Sequence, residues 1–201
     1  MPTGVHLENA RLQLFGAAER VLLRDGPNGL TSRSVTDEAG CAKGVLHRHF
    51  ADFDTFLTEL VLDRAAQLET QTAALRESAG SGTVADNLTT ALTSLFGPVP
   101  TAIIPLITFR DELRARLRQV TPGGGIAILA QATTAIAAYL RAERDLGRIA
   151  ADADIDSLTL SLVGGGHLLF TDVVDREPPS AAAVKKFVTT AIADVTERRP
   201  R

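Results

Sequence analysis

The sequence predicts an all-α protein, and three observations carry that prediction. Apolar residues recur at helical spacing along nearly the whole chain. Alternating runs of β-branched residues, the mark of strands, are almost absent. Gly, Pro and Ser fall in short clusters between the periodic stretches, where they end one helix and admit the next. The 201 residues are 45% hydrophobic and 22% charged, which supplies a sizeable core and lies far from the composition of a disordered chain.

The first helix is expected over residues 7–24, with Leu14, Ala18, Val21 and Leu22 on one face and Gly26 and Pro27 as its stop. A short helix over 32–39 follows, capped by Thr31 and halted at Gly40. A second short helix over 43–49 begins three residues later, and two short helices across a glycine turn form a helix-turn-helix. From Phe53 a long helix runs to about residue 78, where Gly80, Ser81 and Gly82 end it. Further helices are expected over 84–96, 103–119, 126–144, 155–174 and 181–197. Their separators are Pro98 and Pro100, then Pro122 with Gly123, Gly124 and Gly125, then Pro178 and Pro179. Residues 198–201 are expected to fray. The total is about nine helices, in a domain over residues 1–52 and a larger one over 53–201.

Charge narrows the function. The net charge is −3, yet residues 1–50 hold six Lys or Arg against five acids, and residues 40–51 hold no acid at all. Advancing by about 100° per residue from Lys43 places Leu46 and Phe50 together on one face. Gly44, Val45, His47 and Arg48 point the other way, with Lys43 and His49 on the flanks. An anchored inner face and a basic, acid-free outer face suit insertion into the major groove of double-stranded DNA. Arg48 can pair with a guanine edge in bidentate fashion, and Val45 can meet a thymine methyl. Gly44 removes a side chain where backbone and DNA approach most closely. Lys43, His47, His49, Thr31, Ser32 and Arg33 are the expected phosphate contacts, which fix register without reading sequence.

Other chemistry finds little support. A single cysteine, Cys41, excludes a disulfide framework and reads as a packing residue of the turn. His6, His47, His49 and His167 are scattered, and no metal or cofactor is expected. Asp152, Asp154 and Asp156 imitate the start of a calcium loop, but Ser157 stands where its glycine belongs and Val163 where its closing glutamate belongs. They read better as a helix cap. Neither triple-glycine run continues into a phosphate loop, and HExxH and GxSxG are missing, so no enzyme is expected. No stretch reaches the roughly 20 uninterrupted apolar residues of a membrane span. The start carries no secretion signal, and a cytoplasmic location follows.

Residues 11–57 resemble the N-terminal domain of TetR-family transcriptional repressors. The likeness lies in an arginine-led first helix with Ala17 and Ala18, then Gly26, then LTSRSVTDEAG, then CAKGVLHRHF, then a turn into a long helix. It covers about a quarter of the chain without a gap. Three departures accompany it: His47 stands where the family usually has tyrosine, Phe53 where it commonly has a phosphate-contacting lysine, and Ala42 where it has a serine cap.

The resemblance implies a homodimer on a palindromic operator, released by a small molecule held in the C-terminal domain. For the ligand wall the candidates are Phe96, Phe109, Tyr139, His167 and Phe170, large or polar groups amid apolar helical faces. His167 follows Gly164, Gly165 and Gly166, which permit either a cavity or close helix contact. The family pairs its last two helices across the dimer, which here points to Leu158, Leu162, Leu169, Val184, Val188 and Ile192. The alternative is a degenerate relative that keeps the sensor and dimer scaffold but binds DNA weakly, as the three departures suggest.

Overall fold

A computed structural model describes residues 5–120, 127–171 and 178–196, and these hold ten helices. They are α1 (Val5–Gly29), α2 (Ser32–Glu38), α3 (Gly44–His49), α4 (Phe53–Glu77), α5 (Val84–Leu95), α6 (Pro98–Phe109), α7 (Asp111–Val120), α8 (Ala127–Asp145), α9 (Ile155–Thr171) and α10 (Ala181–Thr196). The Pro122 to Gly125 separator, the end of the 155–174 helix and the tail lie outside the described residues.

The chain divides into two compact units. Unit 1 takes residues 1–64 and 102–124, and unit 2 takes 65–101 and 125–201. Unit 1 therefore contains the helix-turn-helix together with the first half of α4, most of α6 and all of α7. No single described helix is long and apolar enough to cross a membrane.

Local chemistry sets the boundaries. Helical geometry in α1 is interrupted at Gly26, where φ is +71° and only glycine is comfortable, and Pro27 opens one last turn. Thr31 caps α2: its Oγ1 accepts from the Ser34 backbone N–H, while the Thr31 N–H donates to Ser34 Oγ at 2.9 Å. Asp154 caps α9 by accepting from both the backbone N–H and the hydroxyl of Ser157, so the aspartate run is a helix cap, as expected.

One helix expected over 103–119 is two. The first begins earlier, at Pro98, because proline is tolerated in an opening turn where its missing N–H leaves no bond unmade. The break falls at Arg110, whose side chain is held by residues far away in sequence.

In unit 2, α5 packs on α8 and α10, and α9 packs on α8 and α10. The core is Leu88, Leu92, Phe96, Ile136, Tyr139, Leu140, Leu162, Val184, Val188 and Ile192. In unit 1, Leu14, Ala18, Val21 and Leu22 are buried as one face of α1. Beneath them Phe15, Phe50, Phe53 and Phe56 form an aromatic cluster with ring centroids 5.0–5.8 Å apart.

Candidate nucleic-acid interface and sensor cleft

Helix α3, the candidate reading helix, is six residues long, too short to hold its shape alone. Its position comes from below. Leu46 and Phe50 are buried, as their spacing predicts, and Phe50 packs against Phe15 and Phe56. Arg11 adds a second tie: its Nη1 donates to the His49 carbonyl at 3.3 Å, its guanidinium lies 4.5 Å over the Phe50 ring, and it pairs with Glu59 of α4. One arginine thereby satisfies an orphan carbonyl at the end of α3 and fixes that end to α4. The arginine-led first helix was visible in the sequence, but this role was not.

The outer face matches the helical-wheel reading. Lys43, Gly44, His47 and Arg48 are exposed, with Val45 and His49 half-buried beside them. Among the described residues, neither Lys43 nor Arg48 has a carboxylate partner. Lys43, the residue before α3, gives it no side-chain cap, and neither can Ala42 preceding it. A Cβ built on Gly44 would meet nothing within 4 Å.

The expected phosphate contacts on α2 are less free. The Thr31 hydroxyl is committed to the cap, and Arg33 pairs with Asp37 at 3.5 Å along the helix. Ser32 is half-buried and Arg33 exposed. Glu38 accepts from both Arg20 and Arg24, tying α2 to α1 and holding its carboxyl below the usual range. Cys41 is half-buried in the turn, where its N–H donates to the Thr36 carbonyl at 3.0 Å.

Helices α6 and α7 add contacts that no motif announced. Asp52 caps α4 through the Thr55 N–H, and both its oxygens accept from Arg116 at 3.1 Å. The two hydrogen bonds from Thr55, ahead of Arg116, depress the Asp52 carboxyl to about 2. Arg110 donates to the Leu30 carbonyl at 2.9 Å, and its guanidinium sits 5.7 Å from the Phe53 ring centroid.

The five proposed ligand-wall residues divide. Phe109 stands in unit 1 and is 81% exposed, whereas the other four stand in unit 2. Tyr139 and Phe96 are fully buried core residues. Tyr139 accepts from the Asn87 amide at 3.0 Å, and burial together with its hydrogen bond to Glu143 holds its phenol above the usual value. Buried Glu143 accepts from the Gly80 N–H and pairs with Arg148, which pins the glycine-serine turn to α8. His167 packs on Phe96, and Phe170 packs on the same ring. The His167 Nδ1 is buried without a hydrogen-bond partner, and burial pushes the imidazole pKa down.

The three glycines before His167 face three ways. A Cβ on Gly165 would lie 2.6 Å from the Phe187 ring, and one on Gly166 would lie 3.1 Å from Phe96. These two serve close packing on α10 and α5. Gly164 has no neighbour within 4 Å and shares an outer face with Leu160 and Leu168, which are 72% and 67% exposed.

Of the expected dimer stripe, Leu162, Val184, Val188 and Ile192 are buried inside the single chain, and Leu158 is nearly so. Only Leu169 keeps partial exposure.

Among the described residues of unit 2, a cleft of about 210 Å³ lies between α4 and α5. Its lining is Gln71, Thr72, Ala74, Leu75, Ser78, Asn87, Thr90, Ala91, Ser94 and Leu95, with no ionisable side chain.

No family model matches the sequence. No curated protein matches it. Solved structures do match. The transcriptional regulator FadR from Bacillus subtilis, in complex with stearoyl-CoA, superposes with a TM-score of 0.68 at 17% identity over 92% of this chain and 98% of its own. The fatty acid degradation regulator FadR from Bacillus halodurans gives 0.67 at 16% identity, covering 96% and 97%. A TetR-family transcriptional regulator from Agrobacterium tumefaciens gives 0.68 at 14% identity, covering 94% and 99%. Identities this low speak for architecture alone: the chain has the fold of TetR-family transcriptional regulators.

Proposed function

We propose that this protein is a ligand-responsive transcriptional repressor that grips a two-fold operator as a homodimer. The observation that carries the reading is the outer face of α3: Lys43, Gly44, His47 and Arg48 exposed, without an acid among them, on a helix fixed from beneath by Leu46, Phe50 and Arg11. Cations left without carboxylate partners on a rigid mount suit the phosphates and base edges of a major groove.

One such helix reads only a few base pairs, so affinity requires a second copy about one helical turn, roughly 34 Å, away. The apolar outer face of α9 supports the pairing. Leu160, Gly164 and Leu168 follow one another at four-residue spacing, and a bare glycine between two leucines admits a close helix crossing.

Regulation is assigned to unit 2. The α4–α5 cleft is smaller than the roughly 300–1,000 Å³ of sites for drug-sized molecules, and hydroxyl and amide groups furnish its polar wall. A small uncharged ligand with hydrogen-bonding groups fits that lining, whereas the phosphorylated, long-chain stearoyl-CoA bound by the Bacillus subtilis neighbour does not. Helix α4 carries the coupling, since its first half belongs to unit 1 and its second half to the cleft. A preference of 1–3 kcal/mol between ligand states is a typical size for such a switch.

The test is selection of bound sequences from a random duplex library by the purified protein, followed by titration of the winner at two salt concentrations. Enrichment of a palindrome with a steep salt dependence is expected. A folded dimer that enriches nothing would replace this reading with a sensor scaffold that has lost DNA binding.

A further inference from the structure

We propose that Arg110, at the junction of α6 and α7, is a phosphate anchor for DNA, a cation supplied to the nucleic-acid backbone from outside the helix-turn-helix. The inference rests on the DNA-binding reading given above.

The placement comes first. Arg110 is 80 residues from Leu30 in sequence, yet donates to its carbonyl at 2.9 Å. Leu30 immediately precedes Thr31, the cap of α2. The same guanidinium lies over Phe53, the first residue of α4. One side chain is thus pinned at two points, on the segments that lead into and out of the helix-turn-helix. A duplex with α3 in its groove has its backbone running past those flanking segments.

The charge is then unaccounted for. On α7, Arg114 pairs with Asp111, and Arg116 pairs with Glu112 and with both oxygens of Asp52. Asp52, the acid next to Phe53, is therefore occupied. Among the described residues Arg110 has no carboxylate partner. Of the five N–H donors of a guanidinium, the carbonyl of Leu30 takes one. The Phe53 ring, its centroid 5.7 Å from the guanidinium, borders the charge without neutralising it. A guanidinium tethered through one donor, with spare donors and an uncompensated charge, matches a phosphate, which accepts two parallel N–H bonds. Phe53 gains a function in the same step: it is the platform that aims the cation.

The experiment measures binding of the full-length protein to the selected operator duplex, or to a random duplex if none is selected, by fluorescence anisotropy across a potassium chloride series. Arg110→Gln can still donate to Leu30 but carries no charge. It is expected to weaken binding about tenfold and to reduce the slope of log affinity against log salt by about one, the contribution of a single phosphate. Arg110→Lys should keep the slope, and Phe53→Lys added to Arg110→Gln should restore it by returning a cation to the head of α4. Thermal melting of each variant is followed in parallel. A role confined to tying α6 to Leu30 would instead lower the melting temperature and leave the slope unchanged, and that result overturns the proposal. Wild-type protein that shows no salt-dependent binding would sink the DNA-binding reading itself. An unchanged slope in Arg110→Gln beside normal wild-type binding sinks only the anchor.

Discussion

Gly44 offers a sharp separation of folding from function, because replacing it should move the two in opposite directions. It is the first residue of α3, is exposed, and has no neighbour within 4 Å of where a Cβ would stand. Nothing inside the chain calls for glycine there. Glycine in a helix costs about 0.5–1 kcal/mol relative to alanine, through the greater freedom of the unfolded chain. Gly44→Ala should therefore stabilise the protein by about that amount and raise the melting temperature by roughly 1–4 °C for a chain of this size. If the start of α3 meets DNA at van der Waals distance, the added methyl lifts the helix from the groove and lengthens every neighbouring contact. A loss of tenfold or more in operator affinity, about 1.4 kcal/mol, is expected. Calorimetry and anisotropy on the same preparation read both effects. A variant that melts higher and binds the operator as tightly as before would refute the close approach, and with it the orientation assigned to α3.

Four further outcomes follow from the same geometry. Arg48→Ala should relax sequence preference at one operator position, with about 1–3 kcal/mol of discrimination lost there, as a repeated library selection would reveal. Lys43→Ala should weaken binding to all sequences alike and lower the salt slope by about one. Leu160→Glu with Leu168→Glu should yield a folded monomer in sedimentation, since both side chains are exposed and their loss leaves the core of unit 2 intact; an unchanged dimer would move the interface elsewhere. Burial lowers the folded-state pKa of His167. A depressed pKa contributes stability that is present above the unfolded value of about 6.5 and is lost as pH falls below it toward the folded value. Wild-type melting temperature should fall across that window, and His167→Phe, which keeps a ring against Phe96, should flatten the curve.

Much of this architecture is legible from pattern, and the exceptions are instructive. Thr31 with Ser34, and Asp154 with Ser157, announce helix starts by local hydrogen bonding, so α2 and α9 begin where their sequences indicate. The break at Arg110 carries no glycine or proline. It is fixed by Leu30 and Phe53, contacts that exist only after folding. The expected dimer stripe meets a related difficulty. A helix between a core and a partner has two apolar faces, and periodicity cannot tell which neighbour covers which. Leu162, Val184, Val188 and Ile192 belong to the inner face, Leu160 and Leu168 to the outer. Of the ligand-wall candidates, chosen by size, Tyr139 and Phe96 fill the core and Phe109 lies exposed, while the α4–α5 cleft is lined by short hydroxyl and amide side chains that size does not pick out.

The departures at Ala42, His47 and Phe53 gain a common physical meaning from the contacts around them. Each removes something from the reading head: a cap from α3, the reach of a phenol, a cation from the head of α4. The structure holds compensations for two of them. With no side-chain cap at its start, α3 is secured at its other end, where Arg11 binds the His49 carbonyl and stacks on Phe50. Phe53 brings no charge, but it carries the guanidinium of Arg110. Both replacements come from residues distant in sequence, one on α1 and one between α6 and α7. Under the proposed DNA-binding reading, strength that local motifs would supply within the helix-turn-helix depends instead on how α1, α4 and α6 are held. A head built in this way weakens when its supports shift, which is the sensitivity that the proposed ligand control requires.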